Sequence, residues 1–170
     1  MLKPIKTFVR YIEAVNTKVG RFSMYMIFAM MGILLFESIS RTLFNWPHIW
    51  VVEIAQFIMA AYYLLGGGYS MILDGHVRMD LVYGPLSAKR QALADVITAP
   101  VLIFYLVFLL YGAISSIEYA VTYGQVNYTP WGPPLAPIKI IMGIGILLML
   151  LQAVAIFFKD LAKARGEKIS

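Results

Sequence analysis

The sequence has no cysteine, which excludes disulfides, thiolate metal sites and thiol nucleophiles and leaves the redox compartment open. Charge is scarce as well: 14% of the 170 residues are charged and 61% are hydrophobic, against roughly 25% and 45–50% in soluble domains. A water-soluble core is therefore excluded. Only two histidines occur, His48 and His76, and His and carboxylate ligands do not cluster as a zinc hydrolase requires. The apolar run after the basic N-terminus is too long for a signal-peptide h-region and lacks a small-residue cleavage site. The N-terminus is expected to be retained.

What is present is apolar length. Four segments, at about 22–44, 51–71, 96–119 and 139–158, are each long enough to cross ~30 Å of hydrocarbon as a helix that satisfies its own backbone hydrogen bonds. The stretches Val96 to Ile117 and Ile140 to Phe158 contain no charge. The expected fold is all-α and integral to the membrane, a four-span domain at 22–158 followed by a basic cytoplasmic tail at 159–170. Basic residues alternate between connections: five precede the first span, none lies in 45–50, three lie in 72–95, none in 120–138, and four follow Phe158. The positive-inside rule puts the basic side in the cytoplasm, giving N-in and C-in. Trp46, Trp50, Tyr119, Tyr123, Tyr128 and Trp131 populate the base-free connections, as suits an outer headgroup layer. The net charge of +5 falls between apolar runs rather than along one basic stripe, so the expected partner is anionic lipid, not nucleic acid.

Ahead of the first span, Ile5, Phe8, Val9, Ile12, Val15 and Val19 fall within an arc of about 120° at ~100° per residue. Lys3, Lys6, Arg10, Glu13 and Lys18 face the other way. Residues 1–21 are therefore expected to form an amphipathic helix along the cytoplasmic leaflet, with Asn16 an imperfection on its apolar side; a solvated basic tail is the alternative. Prolines exclude regular helix from Tyr128 to Pro137, which reads as a rigid outer loop. In the connection Asp74 to Ser87, Val77, Met79 and Leu81 alternate with Arg78, Asp80 and Val82. That pattern suits a short extended segment before Ser87 caps the next helix, either as a docking surface or as an ordinary ordered loop.

Ionisable residues inside or at the ends of spans carry the most information: Glu37, Arg41, Glu53, Glu118 and Lys139. All lie toward the outer face, and intramembrane charges normally pair or line a polar cavity. Glu37 and Arg41 are four apart on one helix, and a short connection returns Glu53 beside them, so Arg41 is expected to meet Glu37 or Glu53. An ion or substrate site and an inter-helix clasp, either internal or toward another subunit, are both open. A transported-ion relay would more naturally use unpaired carboxylates near mid-bilayer, and none is there. Pro100 sits in an early turn of the third span, where proline is tolerated. The two histidines belong to opposite sides, which argues against a haem held between facing helices. Gly66, Gly67, Gly68, Gly143 and Gly145 are expected to let helices approach closely, without the strand and helix context of a phosphate loop. Ser38, Ser40, Gln56 and Gln152 are candidates for hydrogen bonds between helices.

Several short motifs now align in order. Ser40-Arg41 ends the first span, Trp50-Val51-Val52-Glu53 opens the second, Gly75-His76-Val77-Arg78-Met79-Asp80 follows it, and Pro133-Pro134-Leu135-Ala136-Pro137 leads into the fourth. In this order, spacing and four-span frame the chain resembles the small membrane subunit of tripartite ATP-independent periplasmic (TRAP) transporters, the DctQ-like family. The resemblance covers nearly the whole chain. It implies a non-enzymatic subunit, in the cytoplasmic membrane of a bacterium or archaeon, taking part in sodium-coupled uptake of organic acids. Its implied partners are a large elevator-type membrane subunit and a periplasmic substrate-binding protein, with the small subunit as static scaffold and anchor. No cofactor is expected in this subunit; sodium is expected in the large one, and bound phospholipid is compatible with this one. The outer residues Trp46, His48, Trp50, Tyr128 and Trp131 become candidates for meeting the binding protein, by position. Two rivals stand beside this reading: a small self-assembling four-helix exporter with Glu37 or Glu53 as the coupling carboxylate, and a membrane anchor for a redox enzyme.

Overall fold

The computed structural model describes residues 2–73 and 88–164. The motif at Gly75, His76, Arg78 and Asp80 and the end of the basic tail lie outside the described residues. Four helices follow one another: α1 (Leu2–Phe44), α2 (Ile49–Ile72), α3 (Ala88–Thr122) and α4 (Ala136–Ala164). All four contain stretches long and apolar enough to cross a membrane. Among the described residues there is no strand, only an isolated antiparallel bridge between Val126 and Pro134.

The helix ends follow from local chemistry. Pro4 lies in the first turn of α1, where the missing N–H costs no hydrogen bond. Asn45 then takes φ 51°, a left-handed conformation that asparagine tolerates and that commonly stops a helix. Trp46 N–H reaches back to the Ser40 carbonyl at 3.4 Å, and the Ser40 hydroxyl donates to the Trp46 carbonyl at 3.2 Å. After α3, Gly124 and Gly132 supply positive φ. Asn127 N–H donates to the Pro133 carbonyl and Leu135 N–H to the Gln125 carbonyl, each at 2.9 Å, so the proline-rich connection closes on itself. Pro137 falls in the first turn of α4, beginning the helix slightly earlier than the span read at 139.

Two boundaries differ from the sequence reading. The expected division between an interfacial helix at 1–21 and a span from Phe22 has no counterpart in the backbone, because α1 is one helix of 43 residues. The N-terminal apolar stripe packs on α4: Val9 and Ile12 are buried with Ala155 and flanked by Leu151 and Phe158. Amphipathicity records only that one face meets something apolar, and a neighbouring helix meets that demand as well as lipid does. Glu13, assigned to the polar face, likewise turns to Lys159 on α4. Second, α3 begins at Ala88, so Pro100 lies inside the helix instead of in an early turn.

The helices form a row. α1 packs on α2, α2 on α4, and α4 on α3, while the N-terminal half of α1 also crosses to α4. In their most apolar stretches 33% of α4 and 22% of α2 are buried, against 6% for α1 and 11% for α3, so α4 and α2 are the internal members. Met71, Leu106 and Ala153 join α2, α3 and α4 in a second buried cluster. Where water is absent, such packing rests on close van der Waals contact, and small residues permit it. A Cβ at Gly145 would lie 2.7 Å from the Leu64 carbonyl oxygen of α2; at Gly67 it would lie 2.6 Å from Met149 Sδ, and at Gly143 2.7 Å from Ile117 Cδ1. At Gly68 it would overlap the Asn16 amide and at Gly20 the Tyr69 ring. Gly66 differs from its neighbours, having nothing within 4 Å of such an atom.

Candidate functional site

Charged and polar groups collect at the two ends of the helices, which we name the aromatic end and the basic end. At the aromatic end α1 returns into α2 through the segment 45–48. This turn carries His48 back over Glu37. The Glu37 carboxylate accepts from His48 N–H at 3.2 Å through both oxygens and lies 3.0 Å from His48 Nδ1. It thus places negative charge at the start of α2, where the helix dipole favours it. Three rings surround the imidazole: Trp46 stacks at 5.8 Å, Phe36 lies at 5.3 Å, and Trp50 meets it edge-on at 5.9 Å.

That arrangement does not give Arg41 the expected pairing within the chain. Glu37 is engaged by His48, Arg41 is exposed, and no ion pair joins Arg41 to Glu37 or Glu53 among the described residues. The four-residue spacing permits an ion pair, but the turn offers Glu37 a backbone N–H and a ring nitrogen at the same place. Glu53 is 5% exposed, and its Oε2 has no hydrogen-bond partner. Lys139 reaches across to the loop, donating to Gln125 Oε1 at 2.6 Å and to the Ser116 carbonyl at 3.4 Å. Glu118 is exposed on α3. The five ionisable residues are therefore not one cluster. Of the aromatic residues at this end, Trp46, Tyr128 and Trp131 are exposed, and Trp50 is half-buried.

At the basic end Gln152 makes the hydrogen bond between helices expected of it, with a partner, Asn16, that the sequence reading set aside as an imperfection. Asn16 is fully buried and donates from Nδ2 to Gln152 Oε1 at 2.9 Å, joining α1 to α4 opposite Gly68 of α2. Asn16 Oδ1 and Gln152 Nε2 are left without partners. The signal was there: an asparagine inside an apolar helical stripe and a glutamine inside an uncharged span each need a polar counterpart. Around them Glu13 pairs with Lys159 and Asp160 with Lys163, and these residues line a small polar pocket of about 120 Å³ with Asp95 and Gln152. Ser23 donates to the Val19 carbonyl within its own helix.

Among the described residues no three His, Asp or Glu side chains stand together as a metal site. What the arrangement can do is fix depth, orientation and packing. The family described as tripartite ATP-independent periplasmic transporters, DctQ component, matches residues 30–163. Comparison with curated proteins returns no match. The matched region runs from the last third of α1 nearly to the end of α4 and so takes in the other three helices and the aromatic end. With four apolar helices, charge kept to the ends and a family match over most of its length, the chain belongs to the DctQ family and is a multi-pass membrane component of a tripartite transporter.

Proposed function

We propose that this chain is the small permease subunit of a sodium-coupled TRAP transporter, a static scaffold and anchor for a large elevator subunit that imports organic acids delivered by a periplasmic binding protein. The row of helices carries this reading. A row has two broad faces, and α1 and α3 keep most of their apolar residues uncovered by this chain. One face can seat a larger membrane subunit while the other meets lipid. Ionisable groups stay at the helices' ends, several of them engaged within the chain: Glu37 by His48, Lys139 by Gln125 and Glu13 by Lys159. A scaffold needs such anchors and no ion path of its own.

Both termini are cytoplasmic in this proposal, because the basic segments gather at one end and the tryptophans at the other. The N-terminal half of α1 then lies at the inner interface while packed on α4. The aromatic end faces the periplasm, where Trp46, Trp131 and Tyr128 can meet the binding protein. Anionic phospholipid around the basic end is the expected lipid partner.

The test is purification of the tagged chain from native membranes, followed by reconstitution. The expected outcome is a stable second membrane polypeptide, with uptake that requires that polypeptide, the binding protein and a sodium gradient. Transport by this chain alone in liposomes would overturn the scaffold reading and favour the exporter alternative, for which the buried Glu53 would be the coupling carboxylate.

A further inference from the structure

Along α2, one stripe remains uncovered by the rest of the chain. Ile49, Val52, Gln56, Met59, Tyr63 and Gly66 follow one another at alternating spacings of three and four, and all but Gly66 are exposed. This is the periodicity of the seam by which one helix packs along another at a shallow angle. At its inner part the stripe opens into a groove of about 460 Å³ between α1 and α2, with Gly66 and Gly67 in its lining beside Tyr63, Ser70, Ser23 and Met24. A Cβ at Gly66 would meet nothing within 4 Å. A side chain at that position would therefore clash with nothing inside the chain.

Gln56 decides what kind of neighbour fits. It lies seven residues into α2, about 10 Å along the helix, and its exposed side chain has no hydrogen-bond partner among the described residues. Acyl chains offer an amide neither donor nor acceptor, and an unpaired amide in hydrocarbon is costly. The exposed face of α3 behaves differently, presenting Val101, Phe104, Tyr105, Val107 and Phe108 with no amide among them.

We infer that this α2 stripe is the seat for a transmembrane helix of the large membrane subunit, which hydrogen-bonds Gln56 and fills the groove at Gly66 with a bulky side chain. The inference rests on the proposed function for the existence of that subunit. A second copy of this chain fits less well. Two copies of the same topology pair about an axis along the membrane normal, which sets equal depths against each other. Gly66 would then face Gly66, and the groove would stay empty.

The experiment places the photoreactive residue p-benzoylphenylalanine at Met59 on the stripe or at Tyr111 on α3, in the tagged full-length chain with its partners in native membranes. Illumination is expected to join the Met59 probe to the large subunit, identified by peptide mass spectrometry. In parallel, Gly66→Leu is expected to lower the co-purified large subunit at least tenfold, while Gly112→Leu, at another uncrowded glycine on α3, leaves it unchanged. If the large subunit co-purifies but the Met59 probe labels only lipid or a second copy of this chain, the seat is elsewhere and the inference fails. It fails equally if Gly66→Leu retains the partner. If no second membrane polypeptide co-purifies with the unaltered chain, the proposed function fails and the inference with it.

Discussion

The two ends of the molecule are fastened in opposite ways. At the aromatic end the contacts close short stretches of chain: Glu37 to His48 spans 11 residues, Ser40 to Trp46 spans 6, and Lys139 to Gln125 spans 14. At the basic end they join the chain's extremities, Asn16 to Gln152 across 136 residues and Glu13 to Lys159 across 146. The aromatic end can therefore form loop by loop. The basic end exists only once all of α1, α2 and α4 are assembled, so damage there should be felt throughout the row, and damage at the loops only nearby.

Crowding the three-helix junction is the strongest way to probe this contrast. Gly68→Leu forces a side chain into the space of the Asn16 amide. It should destabilise the chain by about 3 kcal/mol, read as a lower unfolding temperature in mild detergent. Next comes the amide pair itself. Asn16→Leu should cost about 2 kcal/mol by leaving Gln152 buried and unpaired, and adding Gln152→Leu should restore part of that loss in a double-mutant cycle. Glu37→Gln should cost about 1 kcal/mol. Hydrogen exchange should quicken from residue 45 to 52 and stay unchanged around Asn16, which would mark the aromatic end as a local closure. Lys159→Ala removes a partly exposed ion pair and should cost no more than about 0.5 kcal/mol, less at high salt. Arg41→Ala should leave the isolated chain's stability unchanged, because Arg41 is exposed and meets neither Glu37 nor Glu53. A loss confined to the assembled transporter would assign Arg41 to a partner.

Much of the frame was legible in the sequence because apolar length speaks directly to a bilayer. Four apolar runs became four helices, and the C-terminal ends of α1 and α2 fell close to those read from composition. The partner of an apolar face is less legible. The stripe Val9 to Ile12 reads the same whether lipid or α4 covers it, so its packing on α4 was not legible in the sequence. Glycine has the same ambiguity: nothing in the residues distinguishes Gly145, pressed on the Leu64 carbonyl, from Gly66, facing open space. Arg41 failed for a different reason. Spacing along a helix shows which charges are within reach, but Glu37 was taken by a neighbour that only the turn at Asn45 brings into place.

The continuity of α1 couples the two ends through rotation. Each residue of an α-helix turns the chain by about 100°, and α1 must present Asn16 to α4 and Glu37 to the start of α2 from a single rod. An insertion of one residue near Gly20 would keep both faces intact but turn one about 100° from the other, so only one could dock. Four added residues would bring the faces nearly back into phase while lengthening the rod by about 6 Å. The long helix thus acts as a timing shaft, fixing the angle at which the contacts of the basic end stand relative to those of the aromatic end.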